Sequence, residues 1–497
     1  MAPPRGLREP RRAQLLRDPR VLLAIVALAY AVVQLTLLGV HVFLGWDETI
    51  YTSQVIHHGP PMDFSAPRAR GITLVVAPLA LAGFSLTVLR LWLILLSALA
   101  LFGAFWVWLR VLPGVRVPVA ATMFAFLWAT LFYGQAVMPN YWVAVGAVGA
   151  VGFLARALAT PSKRNFIGVA LCLGWTCLVR PSDGSVVAVG LAAVAAFSIL
   201  RRHAATWVAL GAGLLIGWVP WMVEAFVRFG GPLHRLHLAS LNEQGGLTFS
   251  LGVQARSVVG PLLCRPCGPS HAFHPLGLVW WVVGAVLVVI GTVRARGTVE
   301  RRATLMATVC GALLLAEYIF TIPYGAPRFL LPTYALLALP AATGLREVLR
   351  GLSRWSVPVP IATAAVLLGL AIQTISQVAV AHVIARDARQ GRMVFTALAT
   401  DVHRLDGPAK CAVIGPRQAV LAFAAGCEAI SSTLVDKPLS PSSDLSRELA
   451  DDTVIGVFRF RLPKGSPLLS WCEQAPPVEP AQRGWHLYIP PGRLSCR

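Results

Sequence analysis

From residue 21 to residue 380 the chain alternates long apolar runs with short polar breaks. About 20 consecutive apolar residues carry a helix across a bilayer, whereas runs of roughly 10 to 14 more often lie in the interface or re-enter. Eleven runs read as spans, at 21–44, 88–109, 117–135, 141–159, 166–180, 182–200, 205–227, 276–293, 303–321, 329–345 and 357–380. The run GITLVVAPLALAGF (71–84) is short and holds Pro78, so it is expected to lie at the membrane surface or to re-enter. After residue 380 the pattern changes. Charges return; CAVIG, TVIGVFRF and WHLYIP have the length and residue types of strands, while RQAVLAFAAG and 384–405 have helical spacing. The pattern predicts an all-α polytopic membrane protein of about eleven transmembrane helices, with a small C-terminal α/β domain.

Composition agrees with this. Of 497 residues, 56% are hydrophobic and 13% charged, which is too apolar for a soluble chain of this size. The formal charge of +21 rests on 43 basic residues, of which only four are Lys. Many of the Arg fall in every second connection: Arg110 and Arg116; Arg164, beside Lys163; Arg201 and Arg202; Arg294, Arg296, Arg301 and Arg302; Arg346, Arg350 and Arg354. That alternation follows the positive-inside rule and argues for topology, not nucleic-acid binding. Residues 1–20 hold six Arg and read as a cytoplasmic basic tail; the run that follows is too long for a cleaved signal, so a retained first span is expected. The expected layout is a multi-pass cell-membrane protein: a membrane domain over 21–380 with outer loops at 45–87, at GQAVMPNYW and at 228–275, then an extracytoplasmic domain over 381–497.

Cysteine placement supports that sidedness. Cys411, Cys427, Cys472 and Cys496 lie in the tail, and Cys264 and Cys267 form CRPC in the long outer loop. An even set in segments assigned outside suggests disulfides, most simply 411 to 427, 472 to 496 and 264 to 267; a zinc site is the competing reading of CRPC, against which the lack of a second Cys or His pair at fixed spacing counts. Cys172, Cys177 and Cys310 fall within spans and read as small core residues.

The stretch GWDETIYTSQVIHHG (45–59) leaves the first span with two adjacent acids, Asp47 and Glu48. Read locally it is a helix boundary: Asp caps, Glu suits a first turn, and the aromatics anchor at the interface. Read in topology, ionisable residues at membrane depth are costly and therefore functional candidates. Surplus Arg on the same outer side, namely Arg68, Arg70, Arg90, Arg180, Arg228, Arg235, Arg256 and Arg328, are residues suited to binding phosphate in poorly hydrated places. Carboxylates and arginines on one face point to a lipid-linked phosphate substrate. Arg180 and Asp183 in RPSDG read as a turn with a local ion pair, and Glu224 and Glu317 read either as cavity-lining acids or as partners of Arg228 and Tyr324. No P-loop, dinucleotide fingerprint or HExxH motif is present.

The DE pair after span one, the short apolar segment before span two and APRFLLPTYALLALPAA (326–342) together resemble the GT-C superfamily of membrane glycosyltransferases. The likeness is greatest to the branch with protein O-mannosyltransferases and lipid A aminoarabinose transferases. The resemblance implies an inverting glycosyltransferase that moves a hexose or pentose from a polyprenyl-phosphate donor to an envelope glycan, lipid or protein acceptor on the outer face. It implies Asp47 as general base and Glu48 as the acid that orients Asp47 or binds sugar hydroxyls. Arg328, Arg68 and Arg70 are the expected donor-phosphate ligands; Tyr51, His57, His58 and Asn140 are expected substrate contacts.

In one place the chain departs from the family. Many members carry a further acid in the second outer loop, where GQAVMPNYW offers only Gln135 and Asn140. Hard cations prefer several carboxylate oxygens, so no metal and no other cofactor is expected. Two alternatives stand beside the enzyme: a lipid or sugar transporter or flippase, against which the absence of internal repeats counts, and a catalytically inactive GT-C-like scaffold.

Overall fold

A computed structural model of the chain describes residues 18–81, 85–259, 261–265, 275–354, 359–406, 411–430, 453–459, 462, 467–474 and 484–490. The helices run in chain order as α1 (Pro19–Val33), α2 (Trp46–Ser53), α3 (Gly71–Val76), α4 (Leu86–Trp106), α5 (Arg116–Ala125), α6 (Trp128–Gly134), α7 (Pro139–Ala159) and α8 (Lys163–Val179). They continue with α9 (Pro181–Ala196), α10 (Ala204–Phe229), α11 (Pro232–Glu243), α12 (Leu251–Ser257), α13 (Val279–Arg294), α14 (Thr298–Thr321), α15 (Leu331–Arg354) and α16 (Val359–Asp406). Strand β1 (Cys411–Ile414), helix α17 (Gln418–Ala425), and strands β2 (Glu428–Ile430), β3 (Thr453–Phe458), β4 (Cys472–Gln474) and β5 (His486–Ile489) complete the order.

The chain divides into two compact units. One holds residues up to 39, 65–72 and 91–382; the other holds 40–64, 73–90 and 383 onward. In the first unit local signals set the helix starts. Asp18 caps α1 by accepting from the Arg20 amide at 2.8 Å, with Pro19 at the first helical position, where its missing N–H costs nothing. Helices α13 and α15 approach closely because Gly291 and Gly344 face each other's backbones: a Cβ on either would lie 1.9 Å from a carbonyl oxygen, of Pro340 or Leu287 respectively.

Seven of the described helices are long and apolar enough to cross a membrane, or eight if α5 and α6, bent by 77° at a short break, form one span. Eleven were expected. The difference arises because the runs at 166–180, 182–200 and 276–293 fold into helices of 17, 16 and 16 residues, short of a span by length alone. The 71–84 run gives a short apolar helix over Gly71–Ala80, well under the length needed to span.

Helix α16 is 48 residues long. It joins two elements expected to be separate, the last apolar run and the amphipathic 384–405. No Gly or Pro lies between them, at residues 381–383, so the change from apolar to polar is a change of surroundings and not of backbone.

In the second unit the tail folds as expected. CAVIG, TVIGVFRF and WHLYIP become β1, β3 and β5 of a five-stranded sheet of order β2-β1-β3-β5-β4. Strand β1 is parallel to β2 and β3, α17 makes the crossover from β1 to β2, and β5 is antiparallel to β3 and β4. Ala412 and Ile414 point to one core with Ile430, Val454, Phe458 and Tyr488, while Val413 is buried on the opposite face, the pattern of a sheet covered on both sides.

Cys411 and Cys427 form a disulfide across this unit, 16 residues apart in sequence. Cys264 and Cys472 are also disulfide-bonded; their expected partners, Cys267 and Cys496, lie outside the described residues. Cys172, Cys177 and Cys310 are free thiols. Closing a loop of this size contributes about 3 kcal/mol, so replacing both Cys411 and Cys427 by Ser is expected to lower the unfolding midpoint of the tail by a margin that calorimetry resolves.

Candidate active site

Gly45 is extended, with φ −74° and ψ 173°, and starts α2. Having no side chain, it supplies only half of a capping box: its N–H donates to Glu48 Oε2 at 2.8 Å, and its carbonyl accepts from the Thr49 N–H and Oγ1–H, each at 2.9 Å. Glu48 is buried. Its other partner is Arg90, whose Nη1 and Nη2 donate to Oε1 at 2.6 Å and Oε2 at 3.1 Å. The same guanidinium donates to the carbonyls of Val42 and Phe43, so one Arg, 1% exposed, ties residues 42–48 to the start of α4. A charged side chain in an apolar helix needs such a partner.

Asp47, on the same helical turn, is half-exposed. The two adjacent acids therefore have different surroundings. Glu48 is the buried anchor of the helix start, and Asp47 is the less buried of the two.

The remainder of the segment is held from within. Tyr51 is buried, edge-on to Phe64 at 5.8 Å. Ser53 Oγ accepts from the Met62 amide at 3.0 Å and Gln54 Nε2 donates to the Met62 carbonyl at 2.8 Å, which closes the loop carrying the exposed His57 and His58.

The other expected site residues belong to the first unit. Arg70 donates through Nε and Nη2 to Glu224 Oε1, at 2.8 and 2.6 Å; Arg228 pairs with the same oxygen at 3.3 Å and Arg235 with Oε2 at 2.9 Å. Arg235 is fully buried in α11, between the rings of Trp221 and Phe229, and also donates to the carbonyls of Ala66, Arg68 and Trp221. Burial pulls the Arg235 guanidinium below its ordinary value and Glu224 opposes that shift. Arg235 thus fixes the 66–70 backbone, and with it the direction of Arg68, whose side chain bonds Ser65, and of Arg70. Of the two readings of Glu224, the ion-pair reading is the observed one, extended from Arg228 to two further arginines.

Arg328 is half-buried above the Phe329 ring at 5.2 Å. Arg180 lies 5.6 Å from the centre of the same ring and pairs with the fully buried Asp183 at 2.8 Å, the local ion pair expected of RPSDG. The Tyr318 hydroxyl completes Asp183 at 2.8 Å. Tyr324 bonds Glu243, not Glu317; burial and the Glu243 carboxylate hold its phenol above the ordinary value. Asn140 is fully buried near the start of α7, and among the described residues neither end of its amide has a hydrogen-bond partner.

What sequence reasoning missed is the pairing. Arg90 sits four residues into a helix reading LTVLRLWLI, and the cost of a charge there was the signal that an acid must meet it. The same pairing yields a graded expectation. Arg235→Ala removes the donor to Glu224 Oε2 and to three carbonyls at a fully buried site and should cost about 3 kcal/mol or more, whereas Arg70→Ala, 32% exposed and backed by two other arginines, should cost under about 1 kcal/mol. Thermal unfolding of the purified variants separates the two.

No family model matches the chain, and no curated protein sequence matches it. Solved structures do. The ArnT of Cupriavidus metallidurans bound to undecaprenyl phosphate matches with a TM-score of 0.61 at 13% identity, over 94% of this chain and 97% of that one. The oligosaccharyltransferase AglB of Archaeoglobus fulgidus, in complex with an inhibitory peptide and a dolichol-phosphate, matches at 0.57 and 11%, over 90% and 69%. The arabinofuranosyltransferase AftD from mycobacteria matches at 0.51 and 15%, over 95% of this chain and 40% of that one. All three are GT-C glycosyltransferases, and the chain has their fold.

Proposed function

We propose that the chain is a membrane glycosyltransferase that moves a sugar from a polyprenyl-phosphate donor to an acceptor hydroxyl on the outer face of the membrane, with inversion. The observation that carries this reading is the start of α2, where Glu48 is buried on Arg90 and Gly45 and the adjacent Asp47, on the same turn, is only partly buried. A carboxylate so placed takes the proton of the acceptor hydroxyl as its oxygen attacks the anomeric carbon. The bond from that carbon to the donor phosphate breaks as the new one forms, and the polyprenyl phosphate leaves with the electron pair. A leaving phosphate needs cations more than an acid. Arg328, half-buried on Phe329, is the first candidate, with Arg68 and Arg70 next, Arg70 sharing its charge with Glu224. Tyr51, His57, His58 and Asn140 are the proposed contacts to sugar or acceptor, Asn140 through two amide atoms that have no partner among the described residues.

The lipid phosphates held by ArnT and AglB belong to those proteins. They make a long polyprenyl phosphate the donor class to try first. A hexose or pentose, and a glycan, lipid or protein acceptor of the cell envelope, are the substrates to compare by mass between cells with and without the protein. Loss of one defined sugar from an envelope glycan or glycolipid is the expected result. An unchanged envelope would argue for the scaffold.

The reaction is read as metal-independent, because the second outer loop offers only Gln135 and Asn140 and a hard cation takes several carboxylate oxygens. Transfer is expected to proceed undiminished in EDTA; activity that vanishes on chelation and returns with Mg²⁺ or Mn²⁺ would contradict this.

A further inference from the structure

Helix α17 reads QAVLAFAA, apolar on every side, and seven of its eight residues are buried. A helix of that kind must be covered all round. One side lies on the sheet, where α17 links the parallel strands β1 and β2. Another side packs against α2, the helix that begins Trp46-Asp47-Glu48. The ring of Phe423 stands 5.7 Å from that of His58.

Beside the rings the two backbones touch. A Cβ on Gly59 would come within 2.8 Å of the Gly426 carbonyl group, and one on Gly426 would come within 2.9 Å of the His58 oxygen. Gly426 also caps α17 at φ +69°, a conformation that L side chains rarely adopt. The next residue is Cys427, bonded to Cys411 at the start of β1. The place where the tail meets the acid-bearing loop is therefore fixed on the tail side by a covalent bond.

We propose that the C-terminal domain is a positioning element for Asp47, which it seats through α17 and the Gly59–Gly426 contact without itself meeting the reacting atoms. The proposal rests on Asp47 being the general base. Its physical ground is that a carboxylate displaced by 1 Å loses on the order of 10²-fold in rate. α2 is only eight residues long; the Glu48–Arg90 pair ties its first turn, and the rest of so short a helix needs packing along its length to stay in place.

The test uses the full-length protein in lipid nanodiscs. Gly59→Leu alters the contact from outside the tail, and Gly426→Ala alters it from within. Hydrogen exchange of residues 46–58 and transfer from a labelled polyprenyl-phosphate sugar are followed together, with Asp47→Asn alongside. Both glycine variants are expected to exchange these amides about tenfold faster and to lose about tenfold or more in kcat with donor KM unchanged, while exchange of β1 and β3 stays as in the wild type. If Gly59→Leu keeps the wild-type exchange, or keeps kcat where Asp47→Asn has lost it, the proposal is overturned and the base stands. If Asp47→Asn is as active as the wild type, the base reading fails; the seating is then decided by exchange alone, and unchanged exchange overturns it.

Discussion

Asp47→Asn is expected to lower the rate of sugar transfer by about 10² to 10⁴-fold while the protein stays folded. The two effects separate because holding the helix start falls mainly to another pair. Glu48 and Arg90 carry that task through buried hydrogen bonds. An acid in a first turn contributes about 0.3 to 1 kcal/mol through the helix dipole, and Asn caps nearly as well as Asp. A helix-boundary role for Asp47 therefore predicts a small change in unfolding temperature with full activity, and the base predicts the reverse. Turnover, donor KM and the thermal midpoint of the same preparation distinguish the two.

The second large effect is on stability. Arg90→Leu leaves the Glu48 carboxylate buried without its cation and removes the donors to the Val42 and Phe43 carbonyls. Breaking a buried ion pair from one side costs about 3 to 5 kcal/mol, a large share of the 5 to 15 kcal/mol that holds a typical protein folded. Loss of folded protein, or a much lower unfolding temperature, is expected. The double variant Arg90→Leu, Glu48→Leu is expected to recover part of the loss, since two apolar side chains leave no bare charge. A single variant as stable as the wild type would mean that this pair does not hold the helix start.

Much of the fold was legible because it is written in periods. The strands of the tail, the short 71–84 segment and the disulfide of Cys411 with Cys427 all follow from residue spacing and placement. The span count was less so, because apolar runs such as 166–180 do not reveal how many of their residues join the helix. The join within α16 was hidden for a related reason: hydropathy reports surroundings, and the backbone passes from one to another without a break.

At the candidate site the residue types were readable and the pairings were not. Arg90 and Glu48 are 42 positions apart, and Arg70 and Glu224 are 154 apart. Only the cost of burying each charge announced that a partner existed. Arg68, Arg70 and Arg235 looked alike in sequence, yet one is buried as a structural clamp and two are partly exposed.

The most direct measurement is a single-turnover reaction of the purified protein in lipid with a polyprenyl-phosphate sugar labelled in the sugar, together with envelope acceptors from the producing cells. The expected result is label on an acceptor, one polyprenyl phosphate released for each sugar moved, inversion at the anomeric carbon, and almost no product from Asp47→Asn. Equal transfer by the wild type and Asp47→Asn, or no transfer by the wild type with any hexose or pentose donor, would contradict it.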